Sequence, residues 1–235
     1  MRQRTERPPA PQVEQWSELA LIPVVATAGY YILPADLHKS PTVQFLPQIL
    51  AYCFLALWTS KNKAVSFRLG LVCSGLFQGL QWGLLVGVAL GAVNAMVILW
   101  MVPWLGADID FLRETPHARM PVFIMLPWGI LLIAIGVELN FRGFLLGRLA
   151  ALSQRSSLRK FPRLGSAAAI IISALVFSFD PFMTATFKHL HWIAVWDGLV
   201  WGMMWVRLRN LYATITAHAV EVIVMYAVLK MVFKT

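Results

Sequence analysis

Charge is what this sequence lacks. No Asp, Glu, Lys or Arg occurs between Leu69 and Leu105, and none between Met120 and Ile135. Over the whole chain the charged share is 13%, about half that of an ordinary soluble domain. Such a shortage excludes a solvated globular surface. Cysteine is scarce too. Cys53 and Cys73 are the two present, each in an apolar segment, so they read as packing positions and exclude a disulfide framework. The glycine run from Gly75 to Gly91 is followed by no Lys-Ser or Lys-Thr, which excludes a phosphate-cradling loop there. Internal repeats and low-complexity tracts are absent.

Targeting signals are missing as well. Residues Met1 to Trp16 are polar, with Pro8, Pro9 and Pro11. They hold no apolar run ending in a small-residue cleavage site. Arg2 rules out the N-myristoylation pattern, and no cysteine near the C-terminus invites prenylation. Residues 1–17 are expected to form a flexible cytoplasmic tail, and the lack of a cleavable leader fits a bacterial inner membrane. The net charge of +9 points to cytoplasmic loops rather than to nucleic acid, because basic residues in a membrane protein collect on that side.

What the chain does have is a succession of long apolar stretches from Leu19 to the C-terminus, with a mean hydropathy of +0.68. Ten Trp and five Tyr suit the headgroup level of a bilayer. The expected fold is all-α: a polytopic transmembrane helical bundle of about seven spans with its N-terminus cytoplasmic. It forms a single domain over 18–235. Hydropathy places the crossings at 18–36, 42–59, 72–105, 120–141, 165–182, 190–206 and 211–230. The third stretch is too long for one upright helix and reads as one tilted span or two. Counting it as one puts 14 of the 20 Lys and Arg residues inside. Splitting it would send the cluster Arg148 to Arg163 outside, against the positive-inside rule. Gly75, Gly79, Gly83, Gly87 and Gly91 recur at intervals of four, the small-xxx-small pattern of closely packed membrane helices.

Against this background the ionisable residues stand out. A charge at membrane depth costs about 2.5 to 3.5 kcal/mol on insertion scales, so an intramembrane charge is a functional-site hypothesis by default. Glu138 and Arg142 are four apart and share a helix face. His218 and Glu221 are three apart on a later span. Asp180 ends the fifth span before Pro181, where it is either a turn residue or a cavity group. Asp197 lies within the sixth, with Arg207 as a distant candidate partner. A carboxylate and an imidazole in one wet hollow could activate water as a general base does. They could equally ligate Zn or Fe, so no cofactor is required and a divalent metal is not excluded. His189 and His191, at the outer edge, alternate in a way that permits chelation.

At these residues the chain resembles the CPBP family, the intramembrane proteases related to type II CAAX prenyl endopeptidases and bacteriocin self-immunity proteins. The family's first motif, Glu-Glu-x-x-x-Arg, stands here as Val137-Glu138-Leu139-Asn140-Phe141-Arg142-Gly143. Its second motif, Phe-x-x-x-His, falls on Phe177 to Pro181, with Asp180 one residue short. Its third, His-x-x-x-Asn, begins at His218 and ends on Val222. The likeness covers about 120–232. It implies a hydrolase that cleaves peptide bonds near the membrane surface, with Glu138, Arg142 and His218 as the surviving motif residues; Asp180 and Glu221, read from the intramembrane charges, complete the candidate catalytic set. Two readings stay open. In the first, Glu138 or Glu221 activates water and His218 stabilises the oxyanion. In the second, the loss of the first Glu to Val137 leaves a non-catalytic scaffold, immunity factor or subunit of a membrane complex. A transporter ranks last, since no inverted repeat of hydropathy is visible. Expected partners are membrane lipid and a membrane-protein substrate or complex partner.

Overall fold

The structure, a computed structural model, describes residues 14–233. Among them every regular element is helical. The principal helices are α1 (Leu21–Tyr30), α2 (Pro41–Lys61), α3 (Leu76–Met96), α4 (Ile130–Ser153), α5 (Pro162–Ser178), α6 (Pro181–Phe187), α7 (Ile193–Leu208) and α8 (Leu211–Phe233). Helix α3 continues without a break through a π-helical turn at Val97–Met101 to Trp104, so the long uncharged stretch is one rod preceded by a short helix at Val65–Leu69.

The glycine stripe explains how the bundle closes. Helices α3 and α8 form the most extensive pairing in the molecule. Gly79, Gly83, Gly87 and Gly91 are all buried and meet Tyr212, Thr216, Ala217 and Val224 of α8 in turn. A Cβ at Gly87 would sit 2.6 Å from the Ala217 carbonyl oxygen and 2.8 Å from Val220 Cβ. Backbones this close require a residue with no side chain. Helix α5 pairs with α7, and α4 packs on both α5 and α8. Helix α4 is the enclosed centre: residues 140–150 are buried without interruption. It also carries a π-helical stretch at Leu139–Leu146, a widened form often found at functional sites.

The structure changes several expectations. Four helices are long and apolar enough to cross a bilayer, five if the bent pair Pro162–Ser178 and Pro181–Leu190 counts as one broken span. The seven crossings read from hydropathy are thus not all matched by helices of spanning length. The stretch at 18–36 becomes helical only over Ser17–Tyr30, too short for the roughly 20 residues a span needs. Its end is tied sideways instead, as the Tyr31 hydroxyl donates to the Phe179 carbonyl at 2.7 Å. The stretch at 165–182 is broken by a 52° bend where Asp180 and Pro181 stop one helix and start another.

Of the expected N-terminal tail, residues 1–13 lie outside the described residues. Of its last residues, Glu14 and Ser17 are docked on the bundle. Glu14 is buried and bonds Arg68, Arg148, Trp58 and Ser17. Cys53 and Cys73 are also corrected: both are free and exposed, not core packing. In a bilayer protein the lipid-facing side is as apolar as the core, so composition alone cannot tell the two apart.

Candidate active site

The π-helical stretch of α4 begins just after Glu138 and aims Arg142 into the bundle. Both side chains are fully buried, and Arg142 Nη1 donates to Glu138 Oε1 at 3.1 Å. The same oxygen receives His218 Nδ1 at 3.0 Å across to α8. With the carboxylate paired to a guanidinium, Nδ1–H is the donor, which fixes the ring tautomer and leaves Nε2 as the other nitrogen. Thr214, one turn before His218, lies beside the same carboxylate.

Aromatic rings hold the rest of the arginine. Nε and Nη2 of Arg142 have no hydrogen-bond partner. The guanidinium instead lies over Phe177 at 4.7 Å and Trp201 at 5.0 Å. Cation–π attraction of this kind strengthens away from water, reaching about 2 kcal/mol when desolvated. Trp201 also stacks on His218, centroids 4.6 Å apart and planes 20° apart. The arginine of the first motif, the phenylalanine of the second and the histidine of the third therefore meet in one place, though about 35 to 40 residues separate them along the chain.

Beside this cluster lies a cavity of about 510 Å³. Val137, Asp180, Asp197, His218 and Glu221 line it, together with many apolar side chains. Glu138 and Arg142 do not; they stand behind the wall, sealed by His218, Phe177 and Trp201. Val137, which the resemblance places at the family's first Glu, lines the cavity and presents only methyl groups.

The remaining carboxylates are held by neutral donors. Asp180 caps α6, accepting from the backbone N–H of Phe182 at 3.0 Å and of Met183 at 3.4 Å, and from Gln48 Nε2 at 2.8 Å. It is thus both a turn residue and a cavity residue. Asp197 has no contact with Arg207. Its partner is Asn94, whose Nδ2 lies 3.1 Å from each Asp197 oxygen and 2.9 Å from Glu221 Oε1. Trp196 Nε1 donates to Asn94 Oδ1 at 2.8 Å and orients that amide. His218 and Glu221 share the cavity, yet bind different partners.

The structure separates His189 from His191: the first rests edge-on against Phe111, the second donates its ring nitrogen to the Lys188 carbonyl. Among the described residues no group of three or more His, Cys, Asp or Glu could hold a metal ion.

Sequence reasoning missed Asn94, Gln48 and Tyr52. The Tyr52 hydroxyl lies against Gly136, where a Cβ would come within 2.9 Å, and Tyr52 lines the cavity. Asn94 left one signal: it lies three residues after Gly91 and therefore on the glycine face.

Residues 119–224 match the family model described as type II CAAX prenyl endopeptidase Rce1-like. No curated protein and no solved structure matches the chain. The matched stretch contains all three motif remnants and the helices that bring them together. Residues 119–224 therefore resemble a type II CAAX prenyl endopeptidase Rce1-like domain, set in a chain with the apolar helices of a multi-pass membrane protein.

Proposed function

We propose that this protein keeps the family's intramembrane chamber as a binding site and no longer hydrolyses a peptide through the family's own base. The observation that carries this reading is Val137. It occupies the base position and lines the cavity, and a valine takes no proton. Glu138 does not replace it, because its Oε1 is engaged by Arg142 and His218 and its side chain is fully buried behind the wall. What remains is an apolar chamber with a few placed polar groups, the usual make-up of a ligand site. Its occupant on this reading is a hydrophobic membrane segment or lipid-linked peptide, and the protein serves as a scaffold, immunity factor or subunit in a bacterial inner membrane.

The test is photolabelling in proteoliposomes with an apolar peptide carrying a diazirine. The peptide is expected to label cavity-lining segments and to stay intact, and Val222→Trp, which fills the chamber, is expected to cut labelling several-fold. Labelling confined to the lipid-facing surface, unchanged by Val222→Trp, would refute a binding chamber.

A second reading has its own observation. Asp197 and Glu221 both line the cavity, and a carboxylate there could draw a proton from water as it attacks a peptide carbonyl. The protein would then be an endopeptidase with a relocated base. Cleavage abolished by Glu221→Gln but not by Glu138→Gln would establish it.

A further inference from the structure

On the wall that α7 and α8 give the intramembrane chamber, three polar side chains meet: Asp197, His218 and Glu221. Each is more than nine-tenths buried. Asp180, between α5 and α6, adds a third carboxylate to the same cavity. The donors to these carboxylates are all neutral. Gln48 and two backbone N–H groups serve Asp180, and the Asn94 amide serves Asp197 and Glu221.

The orientation of each group is fixed. The indole of Trp196 occupies Asn94 Oδ1, so the amide must turn Nδ2 toward both carboxylates. One neutral amide is shared by Asp197 and Glu221 and balances the charge of neither. Glu221 Oε2 has no hydrogen-bond partner among the described residues, since Asn94 takes Oε1. His218 spends Nδ1–H on Glu138, which stands behind the wall. Its Nε2, on the far side of the ring, turns a lone pair toward the cavity, and it too is unpaired among the described residues. The neighbouring cations are engaged elsewhere. Arg142 acts on Asp197 from behind the wall but is paired with Glu138. Arg113 and Lys230 line other parts of the cavity. Arg113 pairs with Asp110 at 3.4 Å. Lys230 donates to the Ala118 carbonyl at 3.0 Å, and its nine-residue separation from Glu221 is about 13 Å along α8.

Carboxylates facing an apolar cavity are unfavourable unless a cation or a proton joins them. A primary ammonium brings one positive charge and three N–H donors. That matches the acceptors on this wall: Glu221 Oε2, the Asp197 carboxylate and His218 Nε2. We propose that the occupant of the chamber carries a primary ammonium and seats it on these three residues. Glu221 is the eleventh of the 23 residues of α8, about 15 Å or more from either end. A phospholipid headgroup stays outside a hydrocarbon core about 30 Å thick. The ammonium therefore belongs to a lysine within a hydrophobic membrane peptide. The inference rests on the chamber being a binding site and adds what that site selects.

The experiment places the full chain in phosphatidylcholine liposomes, which hold no primary amine, with three apolar diazirine peptides. The peptides differ at one central residue: lysine, norleucine, which lacks only the ammonium, or glutamate. Labelling of chamber-lining segments is scaled to the peptide held by each liposome sample. The lysine peptide is expected to label several-fold more than the norleucine peptide, and the glutamate peptide least. Glu221→Gln and Asp197→Asn keep the side-chain shape and remove a charge. Each is expected to bring the lysine peptide down toward the norleucine peptide, while persistent norleucine labelling shows the chamber still folded. Asp110→Asn, beside Arg113 and away from this wall, is expected to leave the lysine preference intact. Equal labelling by lysine and norleucine, or a preference that survives both Glu221→Gln and Asp197→Asn, would overturn the ammonium site and leave the binding chamber standing. No chamber labelling by any of the three peptides would remove both. A lysine preference that vanishes when phosphatidylethanolamine is added would assign the wall to a headgroup amine and overturn the peptide.

Discussion

One oxygen atom, Glu138 Oε1, holds Arg142 of its own helix α4 and joins α4 to α8 through His218. Removing a single partner leaves a buried charge with nothing to balance it, which typically costs about 3–5 kcal/mol. Arg142→Met is therefore expected to lower stability by that order, read as denaturant or thermal unfolding in detergent. The double variant Glu138→Gln with Arg142→Met is expected to recover most of it, because neither charge then remains; a double variant no better than the single would deny the coupling. Asn94→Leu is a second case. It strips the donor from Asp197 and Glu221 together, so a loss of about 1–3 kcal/mol is expected by the same assay. Glu138, Arg142 and His218 were legible in the sequence because ionisable groups in apolar runs must be explained. Asn94 was not, since an uncharged amide costs less to bury and draws no attention, and Gln48 and Tyr52 lie in the half of the chain that carries no motif. Which carboxylate pairs with which donor depends on helix rotation, which no spacing rule reveals.

At the scale of elements, the α3–α8 contact positions the site. The glycine face lets Asn94 of α3 reach Glu221 of α8, and without that approach the two carboxylates would lose their shared amide. Gly87→Leu forces the backbones apart at a point with no room. The expected cost is about 1–3 kcal/mol of overpacking, measured as a fall in Tm. Gly29→Ala in α1, where a Cβ meets nothing within 4 Å, is expected to be neutral. Equal falls in both would show that the close approach is not what matters. This packing could be read from the interval of four in the glycines. The lengths of the helices could not. Hydropathy sees apolar residues but not where the chain turns, so the bend at Asp180 and the sideways tether at Tyr31 were invisible, and Cys53 and Cys73 were placed on the wrong side.

For the whole molecule, the basic residues sort to one end. Arg68, Arg148, Arg155 and Arg209 gather around or near Glu14, while Lys188, Arg113 and Lys230 lie against Phe111, Phe233 and Tyr226 near the other end. On the positive-inside rule we propose that the arginine end faces the cytoplasm. In a background with Cys53 and Cys73 replaced by serine, Lys160→Cys is expected to react with a membrane-impermeant maleimide only after the cells are opened. Lys39→Cys, at the start of α2, is expected to react in intact cells, and the reverse pattern would invert the orientation. On the proposed reading, the chamber between the two ends is a binding site, with Val137 where the resemblance places the family's base. The most direct measurement of that claim is a single-turnover cleavage assay, with protein in excess over a labelled hydrophobic peptide and products read by intact mass. The account predicts that the wild-type protein and Glu138→Gln both leave the peptide whole. Product from the wild-type protein, lost in Glu138→Gln, would contradict it.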